Sequence, residues 1–123
     1  MKTFEIAARL LSDFKKEECI TNKELIEELK NKGIDLNYRI LYYYNQEHLI
    51  ERPTRIGRIR YHRKDYVFDA LACIFILKHK YSLTAKKTRV LMDPYRNSIK
   101  VLLGKLALLD KDMDYLQLKE KLC

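Results

Sequence analysis

The sequence predicts a mainly helical protein carrying one small β-hairpin, and three observations predict it. Apolar residues recur at helical spacing along most of the chain. One stretch alone, Arg52–Lys64, alternates apolar and polar side chains around a glycine. Finally, 123 residues with 47% hydrophobic and 34% charged side chains supply one modest core and leave no room for a second full domain.

Taken in order, Thr3–Lys16 places Phe4, Ala7, Ala8, Leu11 and Phe14 on one face, the pattern of an amphipathic helix. Thr21-Asn22-Lys23-Glu24 is a capping box that starts a second helix, with Leu25, Ile26 and Leu29 as its apolar stripe and Gly33 as its left-handed stop. A third helix, about Leu36 to Glu47, turns Ile40, Leu41 and Tyr44 one way and Tyr38, Arg39, Tyr42, Asn45 and Gln46 the other. Three consecutive tyrosines cannot share a face, so Tyr43 is expected to cover the core. Pro53 and Gly57 punctuate the hairpin that follows.

From Asp65 to about Lys80 the chain is apolar nearly all round, which marks a central buried helix with Cys73 inside it. A short helix over Leu83–Met92 follows. Asp93-Pro94 then reads as a helix start, an N-cap with proline where its missing N–H costs nothing. Beyond it Met92, Tyr95, Ile99, Leu102, Leu106, Leu109, Met113 and Leu116 step by alternating threes and fours, the spacing of a coiled-coil seam. This predicts a long C-terminal helix over 93–123 that pairs with a second copy, appended to a unit spanning 1–92. Gly104 and the cluster Asp110-Lys111-Asp112 leave open a break into two helices folded on their own domain.

Charge narrows the function. The formal net charge is +8, which favours a polyanionic partner, nucleic acid before anionic lipid. Residues 38–64 alone carry seven basic and two acidic side chains. Within them Arg52, Arg55, Arg58, Arg60, Arg63 and Lys64 occupy thirteen positions that hold no acid. Three glycines make no phosphate-cradling loop, and three widely separated cysteines suggest neither a disulfide framework nor a metal site, so no cofactor, metal or small-molecule ligand is expected. No serine or histidine stands in a nucleophile setting, and an enzyme is not expected. His62 and His79 are expected at the surface. The longest apolar run, Val67–Leu77, would span about 16 Å as a helix, short of the roughly 20 residues a bilayer requires. With no secretory signal pattern at the N-terminus, the expectation is a cytoplasmic protein without membrane contact.

Helix, short strand, helix, turn, helix, basic hairpin resembles a winged helix-turn-helix domain. The residues that carry the likeness are Ile20–Leu25, Gly33-Ile34-Asp35 and Leu49-Ile50-Glu51-Arg52. Within that superfamily, Leu41-Tyr42-Tyr43-Tyr44 with Leu49, Gly57 through Tyr61, and Tyr81-Ser82-Leu83 are similar to the recognition helix, the wing and the following turn of MerR-like regulators. Tyr42 stands where that family usually has Arg, and His48 where it usually has Gly. The resemblance implies a homodimeric regulator of transcription that reads duplex DNA.

The candidate base-reading residues are then Tyr38, Arg39, Tyr42, Asn45 and Gln46, because Arg and Asn or Gln can contact guanine and adenine bidentately. The six basic residues of the hairpin would neutralise phosphates, Arg55 and Arg58 reaching furthest. Lys86, Lys87 and Arg89 are candidates to extend that surface, or a plain solvated helix face. Two other partner classes stay open: a protein-interaction module built on the tyrosine face, and RNA, on whose unpaired bases exposed tyrosines would stack.

Overall fold

The computed structural model describes residues 18–109 and 112–122, so the predicted helix over Thr3–Lys16 lies outside the described residues. The described chain is mainly helical with a small three-stranded antiparallel sheet. It begins with β1 (Cys19–Thr21), and Thr21 ends the strand because its side chain starts α1 (Asn22–Asn31). The Glu24 amide donates to Thr21 Oγ1 at 3.2 Å and the Thr21 amide to Glu24 Oε1 at 3.1 Å, the reciprocal capping box. At the other end Gly33 has φ +81°, and the Gly33 and Ile34 amides donate back to the Lys30 and Leu29 carbonyls. That left-handed stop satisfies two of the helix's free acceptors.

Asn37 caps α2 (Tyr38–Gln46), its Oδ1 accepting from the Ile40 amide at 2.9 Å. The helix ends against His48, a non-glycine residue at φ +57°. Strands β2 (Thr54–Ile56) and β3 (Ile59–Arg63) follow, joined by Gly57-Arg58 with a positive φ at the glycine, the pattern a type II′ turn requires. β3 lies in the middle of the sheet, in the order β1-β3-β2, with Ile20 opposite His62 and Arg55 opposite Arg60.

α3 (Lys64–Phe75) runs on through a π-helical turn, Ile76–Lys80, and is the centre of the core. Val67, Ala70, Cys73, Ile74 and Leu77 are fully buried along it. Burial, reinforced by Asp69, pushes the Cys73 thiol up to about 12. α4 (Ala85–Met92) is capped by Thr84 and continues into a single 3-10 turn, Asp93–Tyr95.

The long C-terminal helix expected from the heptad spacing is not formed. The chain instead makes α5 (Ile99–Ala107), which packs along α3, and α6 (Tyr115–Leu122), which packs on α4. Asp93 and Pro94 start no long helix: Asp93 accepts from Arg96 within the 3-10 turn. Between α5 and α6 the break coincides with a second capping pair, the Gln117 amide on Asp114 Oδ1 at 2.8 Å and the Asp114 amide on Gln117 Oε1 at 3.0 Å. Of the predicted seam, Tyr95, Ile99, Leu102 and Leu106 are buried in the chain's own core, Leu109 and Met113 pack against it, and Leu116 is 75% exposed. The α6 residues that do go inward are Leu118 and Leu122. One hydrophobic cluster runs from Ile20 to Leu122, so residue 92 divides no two cores.

Candidate nucleic-acid interface

Two elements expose the side chains singled out from the sequence. On α2, Tyr38 is 57% and Tyr42 is 56% exposed, and Arg39 and Gln46 also face solvent. Leu41 is buried beneath them and Ile40 and Tyr44 are half-buried, so the helix stands on the opposite face. Gln46 Nε2 donates to the Tyr42 hydroxyl at 2.9 Å, one turn away, which holds the two polar heads together.

Asn45 departs from its expected role. It is half-buried, and its Oδ1 is sequestered without a hydrogen-bond partner, whereas a bidentate adenine contact needs both amide atoms at the surface. Tyr43, expected in the core, is exposed instead, its ring beneath Lys78 Nζ at 5.2 Å. Burial, with Tyr43 beside it, raises the pKa of the Tyr44 phenol above its ordinary value.

On the hairpin Arg52, Arg55, Arg58, Arg60, Arg63 and Lys64 are all exposed. Arg63 leans on acids, with Glu51 at 3.9 Å and Asp65 at 4.0 Å. Arg55 curls back, its Nε donating to the Gly57 carbonyl at 3.0 Å, so of the two turn arginines Arg58 projects the more freely. Arg55 and Arg60 are direct cross-strand partners. Like charges placed opposite each other destabilise a sheet, and an anion laid across them removes that cost.

The two elements meet. A cleft of about 330 Å³ is lined by Tyr38 of α2, by Arg58, Ile59 and Arg60 of the hairpin, and by Thr21, Asn22 and Lys23 at the start of α1. Lys23 was not singled out from the sequence; its place inside the capping box, at a helix start that meets the hairpin, is the signal that marks it. Lys86, Lys87 and Arg89 do not join this cleft. Lys86 and Lys87 line a separate groove with Tyr115 and Lys119 of α6, and Arg89 pairs with Asp93 at 4.0 Å.

Two buried polar arrangements hold the site in place, and neither was read from the sequence. His62, expected at the surface, is only 4% exposed, and its Nε2 meets Asn22 Oδ1 at 2.5 Å, tying β3 to the first turn of α1. Burial lowers its pKa to about 4, so the ring is neutral at physiological pH. Arg96 reaches back from beyond α4 to the C-terminal end of α2. Its Nη1 donates to the Leu49 carbonyl at 2.9 Å and its Nη2 to the His48 carbonyl, while Asp93 Oδ1 accepts from the same guanidinium at 2.9 Å. A lone arginine forty-odd residues from its acceptors gives no sequence signal. Among the described residues no three metal-ligating side chains come together, and no helix is long and apolar enough to cross a membrane.

Comparison with known proteins returned no matching family model, no similar curated protein and no similar solved structure.

Proposed function

We propose that this is a winged helix-turn-helix protein that binds duplex DNA, with α2 in the major groove and the β2–β3 hairpin as the wing, and that it regulates transcription from the cytoplasm without catalysing a reaction. The cleft that joins Tyr38 to Arg58, Arg60 and Lys23 carries the reading, because it sets a helix with base-reading side chains beside an acid-free cationic hairpin. The order strand, helix, helix, hairpin, with β1 paired to the second hairpin strand, supports the winged-helix assignment. Arg39 and Gln46 read base edges, Tyr38 and Tyr42 contact phosphate, sugar or a thymine methyl, and Arg52, Arg58, Arg60 and Lys64 neutralise phosphates. Homodimer formation belongs to this reading, since a single recognition helix reads few bases and a twofold pair doubles them.

The test is a gel-shift titration against random duplex DNA, single-stranded DNA and RNA at two salt concentrations. Duplex is preferred, and replacing Arg55, Arg58 and Arg60 with Ala weakens every duplex alike, flattening the log affinity against log salt slope by up to about 3. Arg39→Ala and Gln46→Ala chiefly erode sequence preference. Wing substitutions that leave duplex affinity unchanged across the salt range refute the mechanism. The exposed Tyr38, Tyr42, Tyr43 and Ile59 favour a protein-docking module as the second reading; that reading wins if no nucleic acid binds.

A further inference from the structure

On the side of α2 turned away from Tyr38 and Tyr42 lies an apolar groove of about 530 Å³. It is bounded by the end of α1 (Leu29, Ile34), by Ile40 and Tyr44 of α2, and by Phe68 and Phe75 of α3. Ile34 stays exposed, and the Phe75 ring is 52% exposed, with the His79 imidazole 4.6 Å away. Large apolar side chains left open in a concave setting mark a surface that something covers.

We propose that the groove is the docking site for residues 3–16 of the same chain, laid in as an amphipathic helix with Phe4, Ala7, Leu11 and Phe14 facing Phe75 and Ile34. Three arguments select this occupant. Its apolar stripe matches the groove in character. A helix of that length is marginal in water by itself, so it forms only where its stripe is buried. Its reach is also right. The segment enters β1 at Glu18, beside the start of α1, and Leu29 lies seven residues along that helix, roughly 10 Å at about 1.5 Å per residue. Fourteen helical residues span about 21 Å on the same scale, enough to run back across the groove.

A second copy is the competing occupant. Joined to β1 directly, the segment meets its own groove at the millimolar effective concentration of a short tether, which outcompetes another chain at micromolar protein. Docked there, the helix buttresses α2 from behind, against Ile40 and Tyr44. The inference stands whether or not the protein binds DNA.

The chain contains no tryptophan, so Phe14→Trp in the full-length protein reports on the segment alone. Blue-shifted emission, shielded from iodide several-fold relative to the same protein in urea and independent of dilution, is the expected result. In that background Phe75→Asp, and separately Ile34→Asp, shift the emission red while far-ultraviolet circular dichroism keeps the α1–α6 signal. Both substituted positions already face solvent, so the fold survives them. A solvent-like tryptophan in the parent overturns the proposal, as does shielding that neither substitution disturbs. Shielding lost on dilution, with a dimer mass by light scattering, assigns the groove to a second copy and overturns it as well.

Discussion

The His62–Asn22 contact makes a measurable demand on pH. The imidazole is buried where β3 crosses the start of α1, and burial holds its pKa at about 4 against an ordinary 6.5. The unfolded chain therefore takes up this proton near pH 6.5 and the folded chain only near pH 4, so protonation favours unfolding between those values. Stability from the neutral ring is complete above the unfolded value and is lost as pH falls through the folded one. At 1.36 kcal/mol per tenfold the whole effect is about 3 kcal/mol, of which about 2 kcal/mol falls between about pH 7 and pH 5. The perturbation is His62→Gln, whose amide can still donate to Asn22 but carries no titrating proton. Urea unfolding of both proteins at the two pH values isolates the effect, because every other titrating group is common to them. The wild type loses about 2 kcal/mol more than the variant on acidification. Equal losses in the two proteins, or a His62 ring proton that titrates near pH 6.5 by NMR in the folded state, refute the argument.

Other consequences follow from single residues. His48 holds φ +57°, which costs a side-chain-bearing residue about 1–2 kcal/mol that glycine avoids, while glycine adds about 0.5–1 kcal/mol of unfolded-state entropy. His48→Gly therefore raises stability by about 0.5–1 kcal/mol, read as a higher melting temperature. Arg96→Ala removes a charged donor from two carbonyls at the end of α2 and lowers stability by about 2 kcal/mol in urea. Cys73, with its thiol at about 12 and no exposure, escapes iodoacetamide in the folded protein and reacts in denaturant, as peptide mass spectrometry would read.

Local signals in the sequence carried far where the physics is local. Thr21 and Glu24 begin α1, Gly33 ends it, and Gly57 turns the hairpin, because each acts within three or four residues of itself. The asymmetry of α2 was legible for the same reason, since Leu41 and Tyr42 are placed on opposite sides by helical geometry alone. The heptad spacing misled because a stripe of apolar residues specifies burial without specifying against what. Tyr95, Ile99, Leu102 and Leu106 found α3 within the same chain. The capping pair Asp114 and Gln117 had already written a new helix start across the supposed seam.

What the sequence by itself determined is therefore the set of elements, the cationic hairpin and the polar face of α2. Only the tertiary structure decided that β1 closes on β3, that His62 turns inward to Asn22, and that Arg96 secures the end of α2 from 47 residues away. The physical reason is range. Propensity, capping and periodicity are properties of neighbours in the chain, whereas the cleft between Tyr38 and Arg60 and the burial of His62 exist only once packing has fixed which distant faces meet.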